Sequence, residues 1–241
     1  SGRRVRAFTL PAKFAVSRLS AVGAEEISGN TSGWVANKGM EGLAITSDGK
    51  RLVGIMQNAL IQDGGSTVRI VTVDIGSGRT REYAYTLTTG SGVSEILAVN
   101  DHQFLVDERD GKGLGDGSNA KVKQIFLIDL EGATDVSGIA GEVNLAPHAV
   151  AKTVFLDVVA VLGAHGITTN KIPAKIEGLA FGQDVVIRGR VKHTLYVAND
   201  NDYNAVVGGL DNPNAWFVFA FDDTDLPGFV PQQLKDHGDE R

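Results

Sequence analysis

The sequence predicts an all-β fold, a β-propeller of which this chain supplies about three four-stranded blades. Three observations predict it: an acidic-then-apolar block that recurs three times, short runs of Val, Ile, Leu and Thr between turn residues, and no helical stripe of useful length. The block reads Glu41-Gly42-Leu43-Ala44-Ile45, then Glu95-Ile96-Leu97-Ala98-Val99, then Glu177-Gly178-Leu179-Ala180-Phe181. Each copy leads into a turn (Ser47 to Lys50, Asn100 to His102, Gly182 to His193) and then a second apolar run. Those runs are Arg51 to Asn58, Gln103 to Asp110 and Thr194 to Asn201. Third strands are expected at Val68 to Asp74 and Val122 to Asp129, and fourth strands at Arg81 to Leu87 and Lys152 to Asp157. Four strands per unit at a spacing of roughly 55 to 80 residues is the period of propeller blades with loop insertions.

The third copy carries three convincing strands, the last at Trp216 to Asp222, and an extra strand at Arg4 to Leu10 precedes the first copy. The expected blades are therefore 4–87, 93–158 and 176–222 within one partial domain 1–241, with the strand 4–10 belonging to an adjacent blade and 223–241 forming a tail. Twelve strands make three blades, too few to close a propeller, and open edges of that length invite pairing. The remaining blades are expected from a preceding N-terminal segment or from another chain. A smaller sandwich is the alternative architecture.

A chain of 241 residues with 42% hydrophobic and 22% charged content can bury a sizeable core. A net charge of −6 offers no general basic surface to nucleic acid or to an anionic membrane, and no apolar stretch is long enough to span a bilayer. The absence of cysteine removes disulfides, thiolate nucleophiles and cysteine-based zinc sites. There is no G-x-S-x-G elbow, no H-E-x-x-H, no phosphate-binding Walker loop and no G-x-G-x-x-G after a strand. The five histidines form no spaced pair and read as surface residues.

In a propeller the first strand of each blade lines the central channel, which would bring Glu41, Glu95 and Glu177 together. Converging carboxylates repel unless a cation neutralises them, so calcium is the expected metal; the other reading is that each glutamate accepts backbone hydrogen bonds at a strand start. The second strands align Gln57, Arg109 and Asp200 in one column, each at the centre of a polar cluster. The run Asn199-Asp200-Asn201-Asp202 is an oxygen-rich second candidate, with Asn199, Asp200 and Asp202 as metal ligands, although such residues also favour turns. Lys175, two residues before Glu177, and Arg109 place positive charge beside the acidic axis. Glu108 and Asp110 are candidate general bases. The stretch Asp107 to Gly117 lacks the spacing of a calcium loop and reads as a Gly-rich insertion.

The segments Asn37-Lys-Gly-Met-Glu41-Gly-Leu-Ala-Ile, Arg81-Glu-Tyr-Ala-Tyr85, Phe104 to Asp110, Gly132 to Ser137 and Lys175-Ile-Glu-Gly-Leu-Ala-Phe181 resemble the phytase-like family, "esterase-like activity of phytase", over about Thr9 to Phe221. The resemblance implies a bacterial, exported β-propeller of six blades, secreted or periplasmic, of which this chain is half, its signal peptide lying outside this sequence. It also implies calcium and action on a small-molecule phosphate or carboxylic ester, with Glu41, Glu95 and Glu177 as axial ligands and Asn199 to Asp202 beside them. The expected chemistry is metal-assisted attack of water, using Glu108 or Asp110 with Arg109 and Lys175. A calcium-stabilised propeller that only binds a ligand or protein is the alternative, and lactone hydrolysis a third.

Overall fold

The computed structural model describes residues 6–232. An N-terminal segment with a short helix α1 (Gly23–Ser28) leads into the first sheet, made of β1 (Met40–Ile45), β2 (Arg51–Met56), β3 (Thr67–Asp74) and β4 (Thr80–Thr86) in sequential antiparallel order. The second sheet repeats the meander with β5 (Gly92–Ala98), β6 (Gln103–Arg109) and β7 (Lys123–Asp129), then helix α2 (Glu142–Leu145) in the connection, then β8 (Lys152–Asp157). Helix α3 (Val158–Ala164) follows, capped by the Asp157 carboxylate on the Ala160 N–H at 2.9 Å. In the third sheet β9 (Ile176–Phe181) pairs with β11 (Arg190–Asn199), and β10 (Val185–Ile187) forms a hairpin with the start of β11. A small hairpin of β12 (Val206–Val207) and β13 (Leu210–Asp211) precedes β14 (Trp216–Phe221), which pairs with the other edge of β11. The fold is all-β, built from four-stranded antiparallel sheets.

The turns follow from their residues. Between β1 and β2 Thr46 Oγ donates to Asp48 at 2.6 Å, and between β5 and β6 the Asn100 side chain accepts the His102 and Gln103 N–H groups at 3.0 and 2.8 Å. Of the expected strand at Arg4 to Leu10, residues 6–10 carry no ladder, and Arg4 and Val5 lie outside the described residues. Leu10 lies with Phe14, Trp34 and Met40 beside an apolar groove.

Two cores hold the sheets together. Ile55, Val68, Ile70 and Tyr85 of the first sheet pack on Val93, Ile96, Phe104 and Val106 of the second. Leu105 and Ile125 of the second sheet pack on Ile176, Leu179, Leu195, Val197 and Phe221 of the third. The first strands come side by side: a Cβ on Gly42 would lie 2.6 Å from the Ile96 nitrogen, so only glycine lets β1 approach β5 this closely.

Polar braces secure the connections. Arg69, 1% exposed, donates to Asp63 at 2.6 and 2.9 Å, to Glu82 at 2.7 Å and to the Ile139 carbonyl at 2.7 Å, pinning the long β7–β8 connection to the first sheet. Although read as a surface residue, His193 lies in β11 between the carboxylates of Asp184 and Asp223, at 2.8 and 2.9 Å, and its ring packs on Phe221 and Phe229. Burial alone would lower its pKa, but the two carboxylates outweigh it and raise it. The segment after β14 is held down as well: the Val230 N–H reaches the Val99 carbonyl at 2.9 Å and Asn100 donates to the Gly228 carbonyl at 3.0 Å.

Candidate functional site

Three β-bulges decide which residues face the interior. The pairing slips between Met40 and Gly42 in β1, between Val93 and Glu95 in β5, and opposite Ala198 and Asn199 in β9, so the bulged residues are Glu41, Ser94 and Glu177. The second-strand column holds, since Ile55, Asp107 and Ala198, two residues before Gln57, Arg109 and Asp200, pair with Gly42, Glu95 and Gly178. Glu95 is therefore displaced by one residue from Glu41 and Glu177, and Ser94 is their structural counterpart.

The consequences differ from sheet to sheet. Glu41 stands exposed on the first sheet. Glu95 is half-buried; burial raises its pKa, against hydrogen bonds from the backbone N–H groups of Ile96 and Leu43. Glu177 pairs with the Arg109 guanidinium, whose Nε also donates to Ser94 Oγ at 2.9 Å. Arg109 thus joins the bulge of β5 to the bulge of β9.

Beneath this pair lies Asp107, fully buried, with neither carboxylate oxygen hydrogen-bonded. Burial pushes its pKa up to about 8; Arg109 and Lys123 pull it down, and Glu95 and Glu177 push it further up. Nothing in the strand pattern marks this residue, because valine and aspartate look equally placed in a run such as Phe104 to Arg109. Its register partners in the other sheets are the apolar Ile55 and Ala198. Asp107 binds a proton in the folded state that the unfolded chain releases at the ordinary carboxylate range, so stability falls as pH rises from about 4 to about 8. We expect Asp107→Ala to flatten that slope and to gain roughly 1–3 kcal/mol near pH 8, measured by urea unfolding across the range. An unchanged slope would contradict the assignment.

Lys175, Asp200 and Asp202 come together at the ends of β9 and β11. They line a polar cleft of about 140 Å³, closed on its other side by Gly115 and Asp116 of the Gly-rich insertion. The insertion docks by Leu114 N–H to Ile172 O and Ala174 N–H to Leu114 O, both 2.8 Å. Gly113 sits at φ 132°, and a Cβ there would lie 2.3 Å from the Ile172 carbonyl oxygen, so this approach requires glycine. Opposite, Asp202 and Tyr203 hold left-handed conformations at φ 53° and 58°. Asp202 accepts the Lys175 ammonium at 2.6 Å, and its hydrogen bond raises the Lys175 pKa, assisted by the nearby charge of Glu177.

The oxygen-rich run spends much of its capacity on its own backbone. Asp200 accepts the Asp202 N–H at 2.8 Å, Asn201 the Tyr203 N–H at 3.1 Å and Asn199 the Ala215 N–H at 2.6 Å. Glu108 faces the other way, toward the first sheet, fully buried. It accepts the Tyr85 hydroxyl, the Lys152 ammonium, Ser91 Oγ at 2.7 Å and the Thr88 N–H at 2.8 Å. Burial alone would raise its pKa, but these donors hold it below the usual range. Asp110 is similarly committed, to the Lys123 ammonium and, at 3.1 Å each, to the Lys121 and Val122 N–H groups. With their lone pairs occupied and their side chains buried, Glu108 and Asp110 are struts between strands and do not have the open geometry of a general base.

The expected metal residues do not assemble a calcium shell. Glu41 is exposed, Glu95 is engaged by two N–H groups, Glu177 is held by Arg109, and among the described residues no three His, Asp or Glu side chains form a group that could hold an ion. No helix among those residues is long and apolar enough to cross a membrane.

A search of curated proteins finds no match to this chain. The family described as phytase-like, esterase-like activity of phytase, matches residues 1–203, which span both bulged glutamates, Arg109, the Gly-rich insertion and the Lys175–Asp202 pair. The chain belongs to the phytase-like family.

Proposed function

We propose that this chain is an arc of a β-propeller that hydrolyses esters of small molecules in the cleft at the ends of β6, β9 and β11. The propeller reading is supported by the side-by-side first strands and by the repeated outward meander of each sheet. It is supported too by the apolar residues left exposed at the two ends of the stack: Leu43 and Ile45 on the first sheet, Trp216 and Val218 on the third. Further blades, from a preceding segment or another chain, would cover them.

The observation that carries the chemistry is Glu177 in contact with the Arg109 guanidinium and two residues along the chain from Lys175, which lines the cleft. The Glu177 side chain is 27% exposed, so water reaches it. Glu177 takes a proton from a water whose oxygen attacks the ester carbonyl or phosphoryl centre. Lys175 and Arg109 stabilise the negative charge that develops on the ester oxygen. The bond to the leaving oxygen then breaks, and that oxygen takes the proton back from Glu177. Carboxylic and phosphate esters are both within this chemistry.

The test is turnover of p-nitrophenyl acetate, p-nitrophenyl phosphate, phytate and a γ-lactone by the native chain and by Lys175→Ala. Hydrolysis of at least one, reduced about tenfold or more by the substitution, is expected; turnover of none, or turnover indifferent to Lys175, would sink the proposal.

A further inference from the structure

The cleft between the Gly-rich insertion and the ends of β9 and β11 has an oriented acceptor in its wall. Asn212 lines it and is 4% exposed; its side-chain nitrogen donates to the Asn204 carbonyl at 2.9 Å and to the Asn201 carbonyl at 3.4 Å. Two carbonyl partners fix the amide with its nitrogen toward the 201–204 turn and its oxygen turned the other way. The main chain of Asn212 is tied as well, its N–H to the Ala205 carbonyl at 2.8 Å and its carbonyl to the Asn201 amide at 2.9 Å. Oδ1 faces Gly115, where a Cβ would stand 3.3 Å away, and no donor among the described residues reaches it. A nearly buried amide oxygen without a donor is destabilising until something in the cleft supplies one.

The charged groups around Asn212 call for the same kind of ligand. Asp116, Asp200 and Asp202 line the cleft, and Lys175 is the one cation among the described residues that do. Lys175 is already bound to Asp202, at 2.6 Å. One oxygen of Asp200 accepts the Asp202 N–H at 2.8 Å, and one oxygen of Asp116 accepts the Gly113 and Ser118 N–H groups, both at 2.9 Å. The second oxygen of each meets no donor among the described residues. A phosphate brings to this wall only acceptors and more negative charge. An ammonium brings three donors and the opposite charge.

We infer that the cleft takes the ammonium-bearing part of a small amino ester, with Asn212 Oδ1 accepting from it and Asp116 and Asp200 supplying the opposite charge, and that it turns away polyanionic phosphate esters. This rests on the hydrolytic reading of the cleft and narrows it, from esters at large to small carboxylic esters that carry a positive charge. Size agrees with charge. A cavity of about 150 Å³ takes one benzene ring, so a cleft of about 140 Å³ suits a short aminoalkyl chain and is too small to take in phytate.

Ethanolamine and inorganic phosphate are the probes, each titrated into the native chain while the side-chain amide of Asn212 is followed by two-dimensional NMR. A saturable shift with ethanolamine, at a Kd in the millimolar range, and none with phosphate is expected. Asp200→Asn keeps an oxygen for the Asp202 N–H and removes the charge, so it should weaken ethanolamine binding about tenfold, the worth of one hydrogen bond to a charged group. A shift with phosphate and not with ethanolamine, no shift with either, or ethanolamine binding indifferent to Asp200→Asn would overturn the inference. Turnover distinguishes its failure from that of the hydrolytic reading. Below neutral pH, where its amine is charged, p-nitrophenyl glycinate should show a larger kcat/KM over its uncatalysed rate than p-nitrophenyl acetate does. Hydrolysis of the acetate or of p-nitrophenyl phosphate without that preference sinks this inference alone; turnover of no ester sinks the hydrolytic reading, and the titration still decides whether the cleft is an ammonium site.

Discussion

Replacing Arg69 by methionine is expected to cost about 3–5 kcal/mol of stability, the loss typical of removing one partner from a buried ionic cluster. The guanidinium is 1% exposed and satisfies both oxygens of Asp63 and one of Glu82, so its removal leaves two carboxylates without their main counter-ion away from water. Lys13 reaches Glu82 at 3.1 Å but is partly exposed and contacts only that one carboxylate. The same arginine holds the Ile139 carbonyl, so the connection between β7 and β8 should loosen together with the network. Urea unfolding should show a lower midpoint, and Tm should fall by roughly 6–20 °C at about 2–4 °C per kcal/mol. Neutralising the cluster in full, with Asp63→Asn and Glu82→Gln added, should recover much of the loss. A single-variant loss below about 1 kcal/mol would show that the network is not desolvated as described.

The longer strands, β1 to β9 with β11 and β14, were legible from residue pattern and turn chemistry because both are local, whereas the short hairpin strands β10, β12 and β13 were not. Asn100, Asp48 and Asp74 each end a strand by a hydrogen bond to a backbone or side-chain group two or three residues on, and such short-range bonds follow directly from residue type. The bulges were not legible. A one-residue slip shifts every later side chain to the opposite face, and no residue type announces it. That is why Glu95 reads in sequence as the counterpart of Glu41 and Glu177 when the pairing gives that place to Ser94. Lys175, Arg109, Glu177 and the Asp200–Asp202 run stand at the ends of β6, β9 and β11, because the ends of neighbouring strands lie together whatever the register. Glu108 and Arg109 are adjacent in sequence yet serve opposite faces of the second sheet, as strand geometry requires, and only the partners across each interface distinguish the strut from the site. Arg69 was invisible for another reason: its partners lie up to 70 residues away along the chain.

The claim that organises this site is that Glu177, set beside Arg109 and Lys175, moves the proton in ester hydrolysis. Replacing its carboxylate by an amide keeps size and shape and removes the base, so Glu177→Gln should lower kcat by roughly 10²–10⁴-fold with little change in KM. Arg109 keeps Ser94 and the cleft keeps its Lys175–Asp202 pair in that variant, so the fold and the binding surface should persist. The direct measurement is steady-state hydrolysis, by native chain and by Glu177→Gln side by side, of whichever ester the panel identifies, with circular dichroism to verify that both are folded. A folded variant with kcat lowered by two orders of magnitude or more is the expected result, and a folded variant that turns over the ester at the native rate would contradict the account.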